Sequence, residues 1–252
     1  MSHKYPRGEF ELPSVTTIIE DCTDKSFGLK QWSANQAVEW IREHCEGRLV
    51  GEGAFKYNVY IEDLEQARFA YKTVSQTALD VGSEVHGYVE EYLKNKMNGK
   101  FTDLQEYSCE QARNAFSAFL EWYHEHDIKP IALEQKVYGD CWAGTLDFAG
   151  MFDGKLYVID WKSSKAHYPE MRYQVAAYRS AWDNLVSSDN EYGIGLYPKG
   201  CGVLRLDKET GLPDWKDTSK SYESDLKIFN AMLQLYMLRH PRISKGAGWK
   251  NT

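Results

Sequence analysis

The chain has 252 residues and a formal net charge of −7, with 42% hydrophobic and 27% charged residues. Such a composition is typical of a globular enzyme, and the length allows one large domain with a substantial apolar core. The negative charge argues against a protein that coats nucleic acid through bulk electrostatics, but it is compatible with carboxylates that bind cations. No apolar run approaches the ~20 residues of a membrane-spanning helix, and the N-terminus has no apolar signal core. We therefore expect a cytoplasmic protein with no membrane partner.

Cysteine usage points to the same compartment. The five cysteines are odd in number and widely separated, which argues against a disulfide framework. No C-x-x-C pair indicates a zinc or iron–sulfur site. We predict reduced thiols at Cys22, Cys45, Cys109, Cys141 and Cys201.

The first half of the chain is predicted to be mainly helical. Pro13 to Ile19 is typical of a turn that leads into a helix, with Ser14 or Thr16 as the cap. Apolar residues then recur at helical spacing in three longer segments. The predicted helices run from about Leu29 to Leu49, from Ile61 to Lys96 with a break near Gly82, and from Ser108 to His126.

The second half changes to alternating and apolar strand patterns. The turn Asp153-Gly154 joins two of the predicted strands into a hairpin. The predicted elements are strands at Ile131–Tyr138, Trp142–Phe152 and Lys155–Trp161, a helix at Tyr168–Val186, strands at Tyr192–Tyr197 and Gly202–Leu206, and a helix at Ser219–Arg239 that Pro241 stops.

This order of elements predicts an α/β fold. Antiparallel strands followed by a helical crossover indicate a central mixed sheet flanked by helices, with a helical N-terminal elaboration. No linker divides the chain, so we predict a single domain over residues 1–252. Its first part, 1–127, is mainly helical, and 128–252 forms the sheet-containing core.

Acidic residues and a lysine occur at the ends of the predicted strands. Residues two apart in a strand point to the same face, so Asp160 and Lys162 project together while Trp161 faces away. Asp147 lies on the neighbouring strand of the hairpin, and Glu134 on the preceding strand can point into the same cleft. Such a cluster of carboxylates requires cations, and oxygen ligands suit Mg²⁺ or Mn²⁺.

The predicted chemistry is metal-assisted phosphodiester hydrolysis. A bound metal would polarise a phosphate and lower the pKa of a bound water, while Lys162 stabilises developing charge. Asp-x-Lys in a strand is also common as an exposed ion pair of small energetic value. From these residues alone both interpretations remain open, although the apolar residues before Asp160 favour a buried pair.

Four motifs in order resemble the PD-(D/E)xK nuclease superfamily and, within it, the RecB-like exonuclease branch. The hairpin Gly144-Thr145-Leu146-Asp147 … Asp160-Trp161-Lys162 resembles the core motif. Gly82-Ser83-Glu84-Val85-His86 resembles the upstream G-x-x-x-H helix, and Gln174-Val175-Ala176-Ala177-Tyr178 the downstream Q-x-x-x-Y helix. The resemblance covers Val81 to Tyr178, and Pro13-Ser14-Val15-Thr16 is similar to a segment of phage-type and mitochondrial-exonuclease-like members.

The resemblance implies a restriction-endonuclease-like fold and assigns roles to residues. It implies metal ligation by His86, Asp147, Asp160 and the Trp161 backbone carbonyl. It implies catalytic roles for Asp147, Asp160, Lys162, Glu134, Gln174 and Tyr178. Gln174 and Tyr178 share a helix face, where helix-to-sheet packing is the alternative role. Some members carry three cysteines after the Q-x-x-x-Y helix for an iron–sulfur cluster, but only Cys201 follows it here.

The activity that follows is a Mg²⁺- or Mn²⁺-dependent DNA exonuclease. Its substrate would be single-stranded DNA or duplex ends, in recombination, repair or phage DNA metabolism. Recombination or replication proteins are candidate partners, and a bacterial or phage-encoded origin is expected. Two alternatives stay open, namely a structure-specific endonuclease for flaps or junctions, and a non-catalytic nucleic-acid-binding protein on the same fold.

Positive charge gathers near the end of the chain, at Arg239, His240, Arg242, Lys245 and Lys250. A run of charges is usually a solvated face, and a rim that contacts DNA is the alternative. The aromatic content of 14% is high. Aromatic side chains can stack on unpaired bases, although most are expected in the core.

Overall fold

The computed structural model describes residues 5–7, 10–24, 26–51, 54–100, 106–188 and 197–249. The chain divides into two compact units, and the boundary between them falls within one long helix. Unit 1 comprises Met1–Thr23 and Val81–Thr252, and unit 2 comprises Asp24–Asp80. No helix in these described ranges is both long enough and apolar enough to cross a membrane.

The secondary structure elements are numbered in chain order. They are β1 (Pro6–Arg7), β2 (Phe10–Glu11), α1 (Val15–Cys22), α2 (Ser26–His44), β3 (Gly47–Gly51), β4 (Ala54–Tyr57), α3 (Ile61–Met97), α4 (Glu110–Glu125), β5 (Ile128–Tyr138), β6 (Ala143–Phe152), β7 (Lys155–Lys162), α5 (Pro169–Ser188), β8 (Gly200–Leu206), β9 (Pro213–Asp217), a 3-10 turn (Ser219–Ser221), α6 (Tyr222–Arg239) and α7 (Pro241–Ala247).

Unit 1 is built on a five-stranded mixed sheet with the strand order β5-β6-β7-β8-β9. Strands β5, β6 and β7 are antiparallel neighbours. Asp153 and Gly154 make the tight turn between β6 and β7, both with positive φ angles (47° and 77°), as such a turn requires. Helix α5 then carries the chain across to β8, which lies parallel to β7. The predicted α/β fold with a central mixed sheet flanked by helices is confirmed.

Apolar side chains on the two faces of the sheet form two cores. Val158 of β7 packs into a cluster with residues of α1, α5 and α6. Ile159 and Trp161 belong to the other cluster, with residues of α4 and the second part of α3. Phe119 and Trp122 of α4 are essentially buried and lie against Trp161. Full burial of each such side chain contributes about 1.5–3 kcal/mol, so both helices are firmly attached to the sheet.

Unit 2 consists of α2, the hairpin β3–β4 and the first part of α3. Trp32 of α2 and Tyr71 of α3 make an edge-to-face ring contact with a centroid distance of 6.4 Å. Helix α2 was predicted to continue to Leu49, and that end is wrong. The helix stops at His44, and β3 begins at Gly47, because the following residues pair with β4 instead.

Several other boundaries differ from the sequence-based predictions. Helix α3 runs through Gly82 without the predicted break, since a glycine costs only about 1 kcal/mol in a helix that packs on both sides of it. Strand β9 and the hairpins β1–β2 and β3–β4 were not predicted. The strand predicted at 192–197 lies outside the described residues, apart from the irregular Tyr197.

Helix ends follow the predicted chemistry more closely. Ser14 is the N-cap of α1, and its Oγ accepts a hydrogen bond from the Thr17 amide at 3.0 Å. Helix α6 ends at Arg239, before Pro241, as predicted. Pro241 also starts the short helix α7, because proline fits the first helical position, where no amide donor is needed.

Candidate active site

The sheet opens at the position of two carboxylates. The ladder between β6 and β7 ends at the pair Phe148–Ile159, and the next residues on the two strands are Asp147 and Asp160. The Asp147 Oδ2 atom accepts a hydrogen bond from the Trp161 amide at 2.7 Å, which replaces the missing strand pairing. Both aspartates are buried, at 8% and 1% exposure. The split between the strands therefore places two carboxylates in one cleft.

A third carboxylate lies on the neighbouring strand. Glu134 of β5 stands between the paired residues Leu133 and Gln135, opposite Asp147 on β6. Its φ angle is 48°, which lies in the left-handed region of backbone conformation. Residues other than glycine, asparagine and aspartate rarely adopt this region. Such conformations cost about 1–3 kcal/mol and concentrate at functional sites. The strained backbone thus directs this carboxyl group toward Asp147 at an edge strand.

Helix α3 adds a histidine above the cleft. His86 Nε2 lies 3.1 Å from the Trp161 carbonyl oxygen, and Nδ1 lies 3.7 Å from Asp147 Oδ1. One ligand atom from each of His86, Glu134 and Asp147 falls within 4.8 Å of the others. Among the described residues, this is the group of His, Cys, Asp and Glu side chains whose geometry could hold a metal ion.

Lysine and amide side chains complete the cluster. Lys162 Nζ lies 2.5 Å from Asp160 Oδ2, as expected from their shared strand face. Gln174 of α5 donates hydrogen bonds from Nε2 to Asp160 Oδ1 (3.2 Å) and to the Tyr178 hydroxyl (3.1 Å). The alternative role predicted for Gln174 and Tyr178 was helix-to-sheet packing. Tyr178 is buried in the core, and Gln174 contacts both Tyr178 and Asp160.

Two motif glycines allow close approach of these elements. A Cβ atom on Gly144 would lie 2.4 Å from Cε1 of the buried Tyr178 ring. A Cβ atom on Gly82 would lie 3.2 Å from the Ser163 Oγ, in the loop after Lys162. Any side chain at Gly144 would displace the Tyr178 ring, so this glycine lets α5 lie against β6 beside Asp147.

Burial changes the acid–base properties of all three carboxyl groups. Desolvation raises the pKa of Asp147 and of Asp160 to about 6, although Lys162 partly opposes this shift. Desolvation, followed by the charges of Asp147 and Glu90, raises the pKa of Glu134 to about 8. The three carboxylates therefore carry more negative charge than the site can easily accommodate.

The pKa values of the two basic groups, His86 and Lys162, are shifted in opposite directions. Burial, followed by the charge of Lys162, lowers the pKa of His86 to about 4, so this imidazole is neutral at pH 7. Burial alone would lower the pKa of Lys162, but the charges of Asp160 and Asp147 outweigh it and raise the pKa. Lys162 is therefore a permanent cation, and His86 is in the form that binds metals.

These groups fit a divalent cation. Three carboxylates and one ammonium give the cluster an excess of two negative charges when all of them are ionised. Asp160 Oδ2 is buried and accepts no hydrogen bond of normal geometry from any described residue, despite its proximity to Lys162. Carboxylate oxygens with a neutral imidazole form a ligand set that Mg²⁺ or Mn²⁺ accepts.

Two further residues lie at the site and were not identified from the sequence. The Tyr5 hydroxyl and Thr145 Oγ1 form a buried hydrogen bond of 3.0 Å, two residues before Asp147 on β6. Burial raises the pKa of Tyr5. Thr145 could have been found from the strand alternation, because it is two residues from Asp147. Tyr5 carried no such signal, since the β1–β2 hairpin determines its position.

The loop after Lys162 is held by a polar network on the neighbouring strand. Arg205 of β8 pairs in register with Lys162, and its guanidinium binds Asp207 and Asp214 at 2.9 Å each. His167 Nε2 donates to the Asp214 carbonyl at 3.1 Å. This network fixes the chain between β7 and α5, and so the positions from which Lys162 and Gln174 reach Asp160.

The fold and the site together define a mixed α/β protein with a buried carboxylate, histidine and lysine cluster at a split in its sheet. No family model matches the chain. In sequence, the chain is similar to the mitochondrial genome maintenance exonuclease 1 of Mus musculus, with 26% identity over 221 residues. The aligned part covers 83% of this chain and 54% of the mouse protein, so the chain spans about half the length of the relative it matches.

Proposed function

We propose that the protein is a metal-dependent deoxyribonuclease with a RecB-like PD-(D/E)xK site. The observation that carries this proposal is the convergence of His86, Glu134 and Asp147, with ligand atoms within 4.8 Å, beside the Asp160–Lys162 pair. The ordered motifs of the sequence support it. The name of the mouse relative supports DNA exonuclease activity as the finer assignment.

The proposed metal is Mg²⁺ or Mn²⁺. His86 and Asp147, whose ligand atoms lie together with that of Glu134, would hold it. Asp160 and the Trp161 carbonyl are the further ligands that the sequence resemblance implies. When bound, it would polarise the scissile phosphate and lower the pKa of a water molecule. A carbonyl oxygen only accepts hydrogen bonds, so the His86–Trp161 contact requires a proton on Nε2. Transfer of that proton to Nδ1, which faces Asp147 Oδ1 at 3.7 Å, would leave Nε2 and the Trp161 carbonyl oxygen both able to act as ligands.

The side chains around the cluster have separable roles in this proposal. Lys162 stays protonated because its pKa is raised, so it donates to a phosphate oxygen or to the attacking water and is not a base. Gln174 orients the Asp160 carboxylate and, through Tyr178, is held against β6. Glu134 faces the cluster from the open edge of the sheet, where it can orient water.

The test uses end-labelled linear DNA and closed single-stranded circles, each incubated with Mg²⁺, Mn²⁺ or EDTA. We expect cleavage of linear DNA with either metal and none in EDTA. Loss of one pre-organised donor typically lowers kcat by about 10²–10³-fold, which we expect for Lys162→Ala, and Asp160→Asn should be at least as severe.

The chain provides a matched control. Asp127 and Lys129 form the same Asp-x-Lys pair at the start of β5, with Asp127 directly before the strand; their contact is 2.9 Å, but both side chains are exposed. Asp127→Asn and Lys129→Ala should leave cleavage unchanged. Activity that persists in EDTA or in both active-site variants would overturn the proposal. Cutting of closed circles would replace the exonuclease assignment by an endonuclease, and DNA binding without cleavage in any metal would indicate a non-catalytic protein.

A further inference from the structure

Unit 1 contains a groove of about 890 Å³ that is separate from the carboxylate cluster. It lies between the β5–β6 turn, the β1–β2 hairpin, helix α6 and the end of α7. We propose that it binds an unpaired DNA strand that extends from the active site. This inference rests on the proposed nuclease function and adds the place where the strand is held. Side chains that line the groove include Tyr138, Asp140, Asn230, Leu233, Gln234 and Trp249.

The lining has the chemistry of a nucleobase site. Tyr138 is 47% exposed, which leaves a ring face available for stacking, and Trp249 adds a second aromatic surface. Asn230 and Gln234 are exposed and four residues apart on α6, so both amides point to the same side of the helix. Amide groups can donate and accept hydrogen bonds on base edges, and aromatic rings stack on any base.

Basic residues occur close to the groove along the chain. Arg239 and His240 at the end of α6 both contact the carboxylate of Asp21. Arg242 and Lys245, on α7, are exposed, and the Lys245 carbonyl accepts a hydrogen bond from the groove residue Gly248. Lys245 therefore lies within one turn of the groove residue Gly248. Among the described residues that line the groove, Asp140 is the acidic one, and none is a lysine or an arginine.

The groove and the candidate active site share strand β5 and the N-terminal segment. Tyr138 lies four residues after Glu134 on β5, a distance of at most about 14 Å along a strand. The segment that contains Pro6 and Leu12 lines the groove, while the adjacent Tyr5 contacts Thr145 in the site. A single DNA strand rises about 3.4 Å per nucleotide, so roughly four nucleotides span this separation, and fewer if the strand is stretched.

The test is binding of fluorescein-labelled oligothymidylates in EDTA, measured by fluorescence anisotropy. We compare a 12-mer, a 2-mer and a blunt 12-base-pair duplex. Tyr138→Ala should weaken binding of the single-stranded 12-mer by about 5- to 150-fold, the range expected from loss of one base–aromatic stack. The 2-mer cannot span from the site to the groove, and the blunt duplex has no unpaired strand. The Tyr138→Ala substitution should therefore leave the binding of both unchanged. Tyr138→Phe should retain the affinity.

The control is Tyr197→Ala, which removes a tyrosine of similar exposure (42%) near the start of β8, at the other end of the sheet. Gln234→Ala, like Tyr138→Ala, should weaken the binding of the 12-mer. In cleavage assays with metal, the groove variants should raise KM more than they lower kcat.

If the Tyr138→Ala and Tyr197→Ala variants bind the 12-mer with equal affinity, the groove assignment is wrong. It is also wrong if Tyr138→Ala lowers the affinity for the 12-mer and for the duplex by the same factor. If the wild-type protein cleaves the 12-mer but the groove variants bind it as tightly as the wild type does, the groove assignment is wrong and the nuclease proposal is retained. If binding depends on length and on Tyr138 but no metal supports cleavage, the groove stands and the nuclease proposal fails.

Discussion

Replacement of Gly144 by alanine tests how the sheet and α5 position the site. The added Cβ would lie 2.4 Å from Tyr178 Cε1, and the Tyr178 side chain is buried at 4% exposure. Overpacking of this kind costs typically about 1–3 kcal/mol, and for a chain of this size each kcal/mol corresponds to about 2–4 °C in Tm. We therefore expect Gly144→Ala to lower Tm by roughly 2–12 °C.

The same substitution should also reduce activity. Tyr178 would be displaced from Gln174, which lies 3.1 Å from its hydroxyl, and Gln174 would lose its 3.2 Å contact with Asp160. One such hydrogen bond contributes about 1 kcal/mol, so we expect DNA cleavage to fall by roughly five- to tenfold.

Urea denaturation and thermal melts of the single and double variants measure the effect. Gly144→Ala combined with Tyr178→Leu should lose less free energy of unfolding than the sum of the single losses, because the smaller side chain relieves the clash. Gly87→Ala is the control, since its Cβ on α3 meets nothing within 4 Å and should leave the stability equal or slightly higher. A neutral Gly144→Ala variant, or additive losses, would refute the proposed packing.

Three other predictions concern charge, metal and capping. The folded-state pKa of Glu134 is about 8, above its ordinary 4.5, so its contribution to stability is present below pH 4.5 and lost as the pH rises through 8. The Tm of metal-free protein should fall between pH 6.5 and 8, and Glu134→Gln should remove most of that slope; an equal slope in the variant would contradict the assignment. Mn²⁺ at 100 times its Kd should stabilise the protein by about 2.7 kcal/mol, and Asp147→Asn should abolish this gain in calorimetric melts. Ser14→Ala removes the side-chain acceptor for the Thr17 amide and should cost about 0.5–2 kcal/mol in urea denaturation, whereas an unchanged midpoint would show that the cap contributes nothing.

The strand residues of the site were predictable because alternation fixes the face of each side chain. Asp160 and Lys162 are two apart on β7, and their pairing follows directly from that spacing. Asp147 was placed on the adjacent strand by the tight turn at Asp153 and Gly154. Ser14 was identified as a cap candidate from residue type alone.

Features that depend on tertiary pairing were not predictable in the same way. The sequence around Glu134 is typical of a regular strand, and nothing in it predicts the left-handed backbone that this residue has between the paired residues Leu133 and Gln135. Tyr5 directly precedes the β1–β2 hairpin and contacts Thr145, and the hairpin strands, of two residues each, are too short to show an alternation pattern. Strand β9 was missed because Pro213 and acidic residues are poor strand formers, yet an edge strand tolerates them.

The most direct test of the proposed metal site is an anomalous difference map from a crystal soaked in Mn²⁺. We expect a peak bounded by His86, Asp147, Asp160 and the Trp161 carbonyl, with Lys162 Nζ beside Asp160. The peak should disappear in Asp160→Asn and persist in Asp127→Asn. A map with no peak at this cluster, in crystals of protein that cleaves DNA in Mn²⁺, would contradict the central claim.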